Sequence, residues 1–174
     1  MRTYGRYLVA AICVSLSVKV NAQDSGLRGT TVEREDHWIV FELGAASEWT
    51  RDEGVHNGGT LAFEVTPVEH WLELEAGATA ITSENVIETA FDVLFKKPWQ
   101  PSPKFEFMIG VGPEIVHAAN RDGGTFWGAE AVLDFMFWPK KNLGWYVEPG
   151  YEAVWHGGKR QQGIGWAIGV LIGR

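Results

Sequence analysis

TFWGAEAVLDFMFW, residues 125–138, alternates with a period of two. Trp127, Ala129, Ala131, Leu133, Phe135 and Phe137 take every second position, and Gly128, Glu130 and Asp134 fall between them. Successive side chains of a strand point to opposite sides, so this is a β-strand with one large apolar face and one polar face. Seven more segments repeat the alternation. His37–Trp49 places Ile39, Phe41, Leu43 and Ala45 on one face; Thr60–Thr66 places Leu61, Phe63 and Val65 there; Trp71–Thr79 places Leu72, Leu74, Ala76 and Ala78. Val86–Phe95 contributes Ile87, Phe91, Val93 and Phe95, and Phe105–His117 contributes Phe105, Phe107, Ile109, Val111 and Ile115. Trp145–His156 carries Trp145, Val147, Tyr151, Ala153 and Trp155, and Gly163–Ile172 carries Ile164, Trp166, Ile168, Val170 and Ile172.

The acids follow the same sorting. Glu42, Glu48, Glu64, Glu73, Glu75, Glu88, Asp92, Glu106, Glu114, Glu130, Asp134, Glu148 and Glu152 all share a face with glycines and lie opposite the apolar rows. Large apolar residues outward with acids and glycines inward is the pattern of a closed barrel in lipid, where an unpaired sheet edge is costly and an even strand number lets the ends meet antiparallel. We therefore expect an all-β, eight-stranded antiparallel up-and-down transmembrane β-barrel. A soluble exported barrel binding an apolar ligand would turn the apolar rows inward, and a small barrel has little room for such large residues.

Between the segments stand turn residues: Arg51–Gly59, Pro67–His70, Thr82–Asn85, Lys97–Pro103, Asn120–Gly124, Pro139–Gly144 and Gly157–Gln162. Pro113 and Pro149 fall inside segments and, having no N–H, are expected to mark bulges. Trp38, Trp49, Trp71, Trp138, Trp145, Tyr146 and Trp155 sit near segment ends, where interfacial aromatic girdles are expected.

Upstream, Arg2 and Arg6 precede the short apolar run Leu8–Val14, and Val20-Asn21-Ala22 offers small residues for cleavage. Residues 1–22 are expected to be a signal peptide, 23–36 a flexible periplasmic tail, and 37–174 the barrel. Cleavage would remove Arg2, Arg6 and Lys19 and no acid, leaving 12 basic against 22 acidic residues. That balance argues against nucleic acid as a partner. The one cysteine, Cys13, lies in the signal, so no disulfide or thiolate metal site is expected in the barrel. Nothing calls for a cofactor: Gly163-x-Gly165 precedes a strand pattern rather than a helix.

The candidate site is the acidic lumen. No segment contributes a lysine or arginine to it, so its carboxylates are expected to need water, shared protons or bound cations. Binding or passage of cations is the sharpest expectation; neutralising Glu130 and Asp134 together should stabilise a self-repelling lumen. His56, His117 and His156, with Asp52, Glu53 and Asp122, are weaker metal candidates beside the outer loops, and none shows a ligand spacing. A lipid-modifying enzyme would need a nucleophile within reach of a base, and Ser47 is the only serine within the segments.

These features resemble the small outer-membrane β-barrel domain family that includes OmpA-like and OmpW-like barrels. The resemblance covers roughly residues 37–172 and rests on the signal peptide, the eight alternating strands and the final Gly163–Ile172 segment. That segment is similar to the terminal signal read by the barrel-assembly machinery, although this chain ends in Gly173-Arg174 rather than an aromatic residue. The resemblance implies an outer-membrane location, outer-membrane lipids as neighbours and termini facing the periplasm. It also implies a periplasmic rim carrying Lys96, Lys97, Lys104, Lys140 and Lys141.

Overall fold

In a computed structural model, the described residues are 38–51, 54–83, 86–119 and 123–174. The expected signal peptide and tail, His37, Asp52, Glu53 and Asp122 lie outside them. Eight strands run in order: β1 (Ile39–Thr50), β2 (Gly54–Val68), β3 (Leu72–Ser83), β4 (Val86–Ser102), β5 (Phe105–Ala118), β6 (Thr125–Lys140), β7 (Leu143–His156) and β8 (Lys159–Gly173). Each pairs antiparallel with its sequence neighbours, and β1 pairs with β8 to close the barrel. The closing ladder runs from Val40 opposite Gly173 to Thr50 opposite Gly163. It is extended by the Trp38 amide donating to the Arg174 carbonyl at 3.1 Å and the Arg174 amide donating to the Ile39 carbonyl at 2.9 Å.

The apolar rows face outward. Leu43, Leu61, Phe91, Val111, Trp127 and Ile164 are among many large apolar side chains exposed on the outer wall. An apolar surface that surrounds the whole body needs hydrocarbon around it. The strands, of 12 to 17 residues, exceed the ~9–11 that cross a bilayer at a tilt. At one end, aromatic rings couple neighbouring strands: Phe107 lies 5.7 Å from Trp99 and 5.1 Å from Phe135, and Phe137 lies 4.9 Å from Phe105 and 4.1 Å from Trp145. Such cross-strand pairs are the unit of sheet stabilisation, and here they form part of a girdle.

Several expectations need correction. The strands are longer than the alternation of large residues suggested. β2 pairs with β1 from Gly54 onward, so most of Arg51–Gly59 is ladder rather than loop. β4 continues through the expected turn to Ser102, and β8 starts at Lys159. The β7–β8 turn is Gly157-Gly158 alone, with φ of 56° and 80°, as a two-residue hairpin of the right twist requires.

Pro113 and Pro149 are not bulges. Pro113 sits opposite Ala129 and Pro149 opposite Trp166 in unbroken registers. On its other side each proline leaves a two-pair gap in the ladder without shifting it, which accommodates the missing N–H. The register shifts fall instead where β2, β4 and β6 approach their turns, at the segments containing Pro67, Pro101 and Pro139.

Trp138 and Tyr146 are not girdle residues. Both turn into the barrel and are almost completely buried, packing with Val40, Met108, Met136, Ala167 and Leu171 into an apolar core. This core fills the lumen at the end that holds both termini of the sheet. Tyr146 can lie there because Gly44 and Gly169 face each other across the β1–β8 closure. A Cβ on Gly169 would stand 2.2 Å from the Leu43 carbonyl oxygen and 2.7 Å from Tyr146 Cε1. Gly165, in the same strand, would meet nothing closer than 3.6 Å. Gly169→Leu is therefore expected to cost about 3 kcal/mol or more by overpacking, read as a lower urea midpoint in detergent micelles. Gly165→Ala should be close to neutral. Equal effects of the two would refute this packing account.

Candidate functional site

All thirteen acids named from the alternation lie on inward-facing strand positions, and none is among the exposed apolar rows. Inside the barrel they separate into levels.

The lower level sits directly on the apolar core and surrounds a side chain that the sequence reading placed elsewhere. Lys96 is not at the rim. It lies within β4, is fully buried, and points into the lumen. Its ammonium donates to Asp134 Oδ2 at 2.9 Å and to Glu148 Oε2 at 2.8 Å, forms an ion pair with Glu75, and lies 3.7 Å from Glu64 Oε2. Glu42 closes the group, and one carboxylate oxygen each from Glu42, Glu64, Glu75 and Asp134 falls within 4.8 Å of the others. Such a set could hold a metal ion, but the Lys96 ammonium already supplies positive charge to three of the four. The lysine stem fits because its cross-strand neighbour is Gly110, whose Cβ would stand 2.9 Å from Lys96 Cγ.

Above this level the lumen opens into a chamber that reaches down to Glu42, Glu75, Tyr146 and Glu148. A second chamber shares Glu48, Glu114 and Glu152 with the first and extends to Glu88, Gly123 and Gln161 at the far end. Asp92 and Glu130 line the first chamber. Among the described residues, neither chamber is lined by a lysine or an arginine. Glu73 and Glu106 line neither; they lie toward the core end of β3 and β5.

Small residues opposite the acids keep the chambers open. Glu114 faces Gly128, Asp92 faces Gly77, and Glu152 faces Gly163 across their ladders. A Cβ at those glycines would fall 2.7 Å from Glu114 Oε2, 2.6 Å from Asp92 Oδ2 and 2.5 Å from Glu152 Oε1. Glu114 is only 2% exposed, and its Oε2 has no hydrogen-bond partner among the described residues.

The histidines stand on separate strands. His56 lies within β2, is buried and faces the lumen opposite Glu48 rather than a loop. His117 is exposed on the outer wall beside Thr125, 3.2 Å away. His156 ends β7, and β2, β5 and β7 are not neighbouring strands. Ser47 has Asn57 and Trp166 as its cross-strand partners, neither of them a base.

Lys96 and Tyr146 were the residues missed. The signal for both was present. Continuing the alternation one residue past Phe95 turns Lys96 inward, and the alternation of β7 turns Tyr146 inward with Glu148. The turn-like composition of Lys96–Pro103 masked the first.

No protein-family model matches the sequence, and no curated protein matches it. Solved structures match the fold. Neisserial surface protein A aligns with a TM-score of 0.60 at 8% identity over 78% of this chain and 96% of that one. The outer membrane protein OprG from Pseudomonas aeruginosa aligns at 0.59 and 11% identity over 79% and 97%. The N-terminal β-barrel domain of OprF from Pseudomonas aeruginosa aligns at 0.54 and 11% identity over 79% and 100%. At such identities the likeness is one of fold: the chain has the architecture of a small eight-stranded transmembrane barrel.

Proposed function

We propose that this protein resides in the outer membrane and that its lumen is a one-ended acidic vestibule that takes up cations. The reading rests chiefly on one observation. Glu48, Asp92, Glu114, Glu130 and Glu152 line connected chambers to which no described lysine or arginine contributes. Carboxylates withdrawn from bulk water carry a desolvation cost that a cation offsets. Binding rather than passage is favoured because Tyr146, Met136, Met108, Trp138 and Leu171 fill the lumen below the chambers. If the termini face the periplasm, as in the barrels it resembles, the chambers open to the cell exterior.

Two measurements test this. Protein refolded into planar bilayers is expected to show no steady conductance; a stable ohmic pore would refute the closed floor. In detergent, the unfolding free energy should rise with K⁺ or Mg²⁺ concentration, by up to about 2.7 kcal/mol at a hundredfold excess over Kd. It should rise much less in a Glu114→Gln, Glu130→Gln double variant. An identical salt response in both proteins would overturn cation uptake.

A further inference from the structure

Lys96 shows what kind of cation this lumen accommodates. It is a primary ammonium on a linear methylene stem: carboxylates gather round its nitrogen, and the stem lies against a glycine on the neighbouring strand. One level up, a second set of inward carboxylates lines the chamber, with no ammonium among the described residues there. On β6, Glu130 stands four residues from Asp134, and on β7, Glu152 stands four residues from Glu148, so the levels are about 13 Å apart along the strands. Glu114 and Asp92 complete the upper level, their carboxylates seated against Gly128 and Gly77 of the neighbouring strands. A second observation points to a missing partner. Glu114 is almost wholly buried, it lines both chambers, and its Oε2 accepts no hydrogen bond from any described residue.

We propose that the upper level binds the primary ammonium group of a linear aliphatic polyamine, in the manner in which the lower level binds Lys96. The inference rests on the cation-uptake reading and narrows it to one ligand class. An –NH₃⁺ group offers three donors in a compact head, which suits a chamber lined by carboxylates from β4, β5, β6 and β7. The methylene chain can lie along the glycine and alanine positions of the wall, including Gly77, Ala90 and Gly150. A quaternary ammonium has no N–H to donate.

The test uses the full barrel folded in detergent and isothermal titration with 1,4-diaminobutane, spermidine, tetramethylammonium, K⁺ and Mg²⁺. Saturable binding of the two amines is expected, at least tenfold tighter than K⁺ and tenfold tighter than tetramethylammonium. Glu114→Gln and Glu130→Gln should each weaken amine binding at least fivefold. Gly128→Leu, whose side chain would displace the Glu114 carboxylate from its seat, should do the same without removing a carboxylate. If that variant fails to fold, Gly128→Ala serves in its stead, with a smaller loss expected. K⁺ or Mg²⁺ binding with no preference for the amines would overturn this inference and leave cation uptake standing. Absence of binding by every cation would overturn both. Amine binding unchanged in all three lumen variants would assign the amines to the outer surface and overturn the site.

Discussion

Lys96→Met is expected to be the most damaging single substitution in the lumen. Methionine retains much of the stem that packs over Gly110 but removes the ammonium that Asp134, Glu148 and Glu75 share. Removing one partner from a buried ion pair costs about 3–5 kcal/mol, because the remaining charge has lost both water and its counter-ion. The group is fully buried on the lysine and Asp134 sides, so solvent relieves little of this. The loss should appear as a large fall in the urea midpoint, with unboiled protein no longer running as a compact band in SDS. A Lys96→Met, Glu75→Gln, Asp134→Asn triple variant should recover part of it. These contacts also divide the expected pair of neutralisations. Asp134→Asn breaks the Lys96 ion pair and should destabilise, whereas Glu130→Gln removes a carboxylate outside that pair and should be neutral or stabilising. A cost below about 1 kcal/mol for Lys96→Met, the scale of an exposed pair, would show that the lower level is hydrated and not held by the lysine.

Leu43→Arg is expected to produce the second large loss. Leu43 lies near the middle of β1 and is 64% exposed on the outer wall. In water a charge at such a position is harmless. In hydrocarbon, arginine at the midplane of a barrel's lipid face costs about 2–4 kcal/mol, falling to about 0–1 near the interfaces. Trp71→Arg provides the comparison: Trp71 is equally open, at 62%, but sits beside the β2–β3 turn. Folding into phospholipid vesicles should therefore be strongly weakened by the first substitution and little changed by the second. If neither matters, the outer wall does not face lipid.

The strand alternation made the barrel legible before any coordinates, because lipid outside and polar groups inside impose opposite chemistry on neighbouring residues. It located the inward acids for the same reason. Strand ends were less legible. Gly54–Gly59 has Val55 as its single large apolar residue and Lys159–Gln162 has none, yet both stretches are ladder, since backbone hydrogen bonds continue where the apolar alternation stops. Pro113 and Pro149 misled because a missing N–H can be absorbed by a local gap in one ladder rather than by a bulge. Lys96 was the consequential loss. Its neighbours Lys97 and Pro98 have the composition of a turn, and composition outweighed parity. The grouping of acids into two levels could not be read from one strand at a time, since it depends on how the registers of all eight strands combine.

The facing of carboxylates by glycines has a consequence for how this barrel can change over time. Across each such ladder, two residues share a fixed allotment of volume: Gly128 is small because Glu114 is large, and Gly163 is small because Glu152 is large. Enlarging either member alone crowds the wall; enlarging one while shrinking the other need not. Positions 114 and 128 should therefore drift together among related chains, as should 152 and 163, and an exchange that is harmful singly should be tolerated when both members swap.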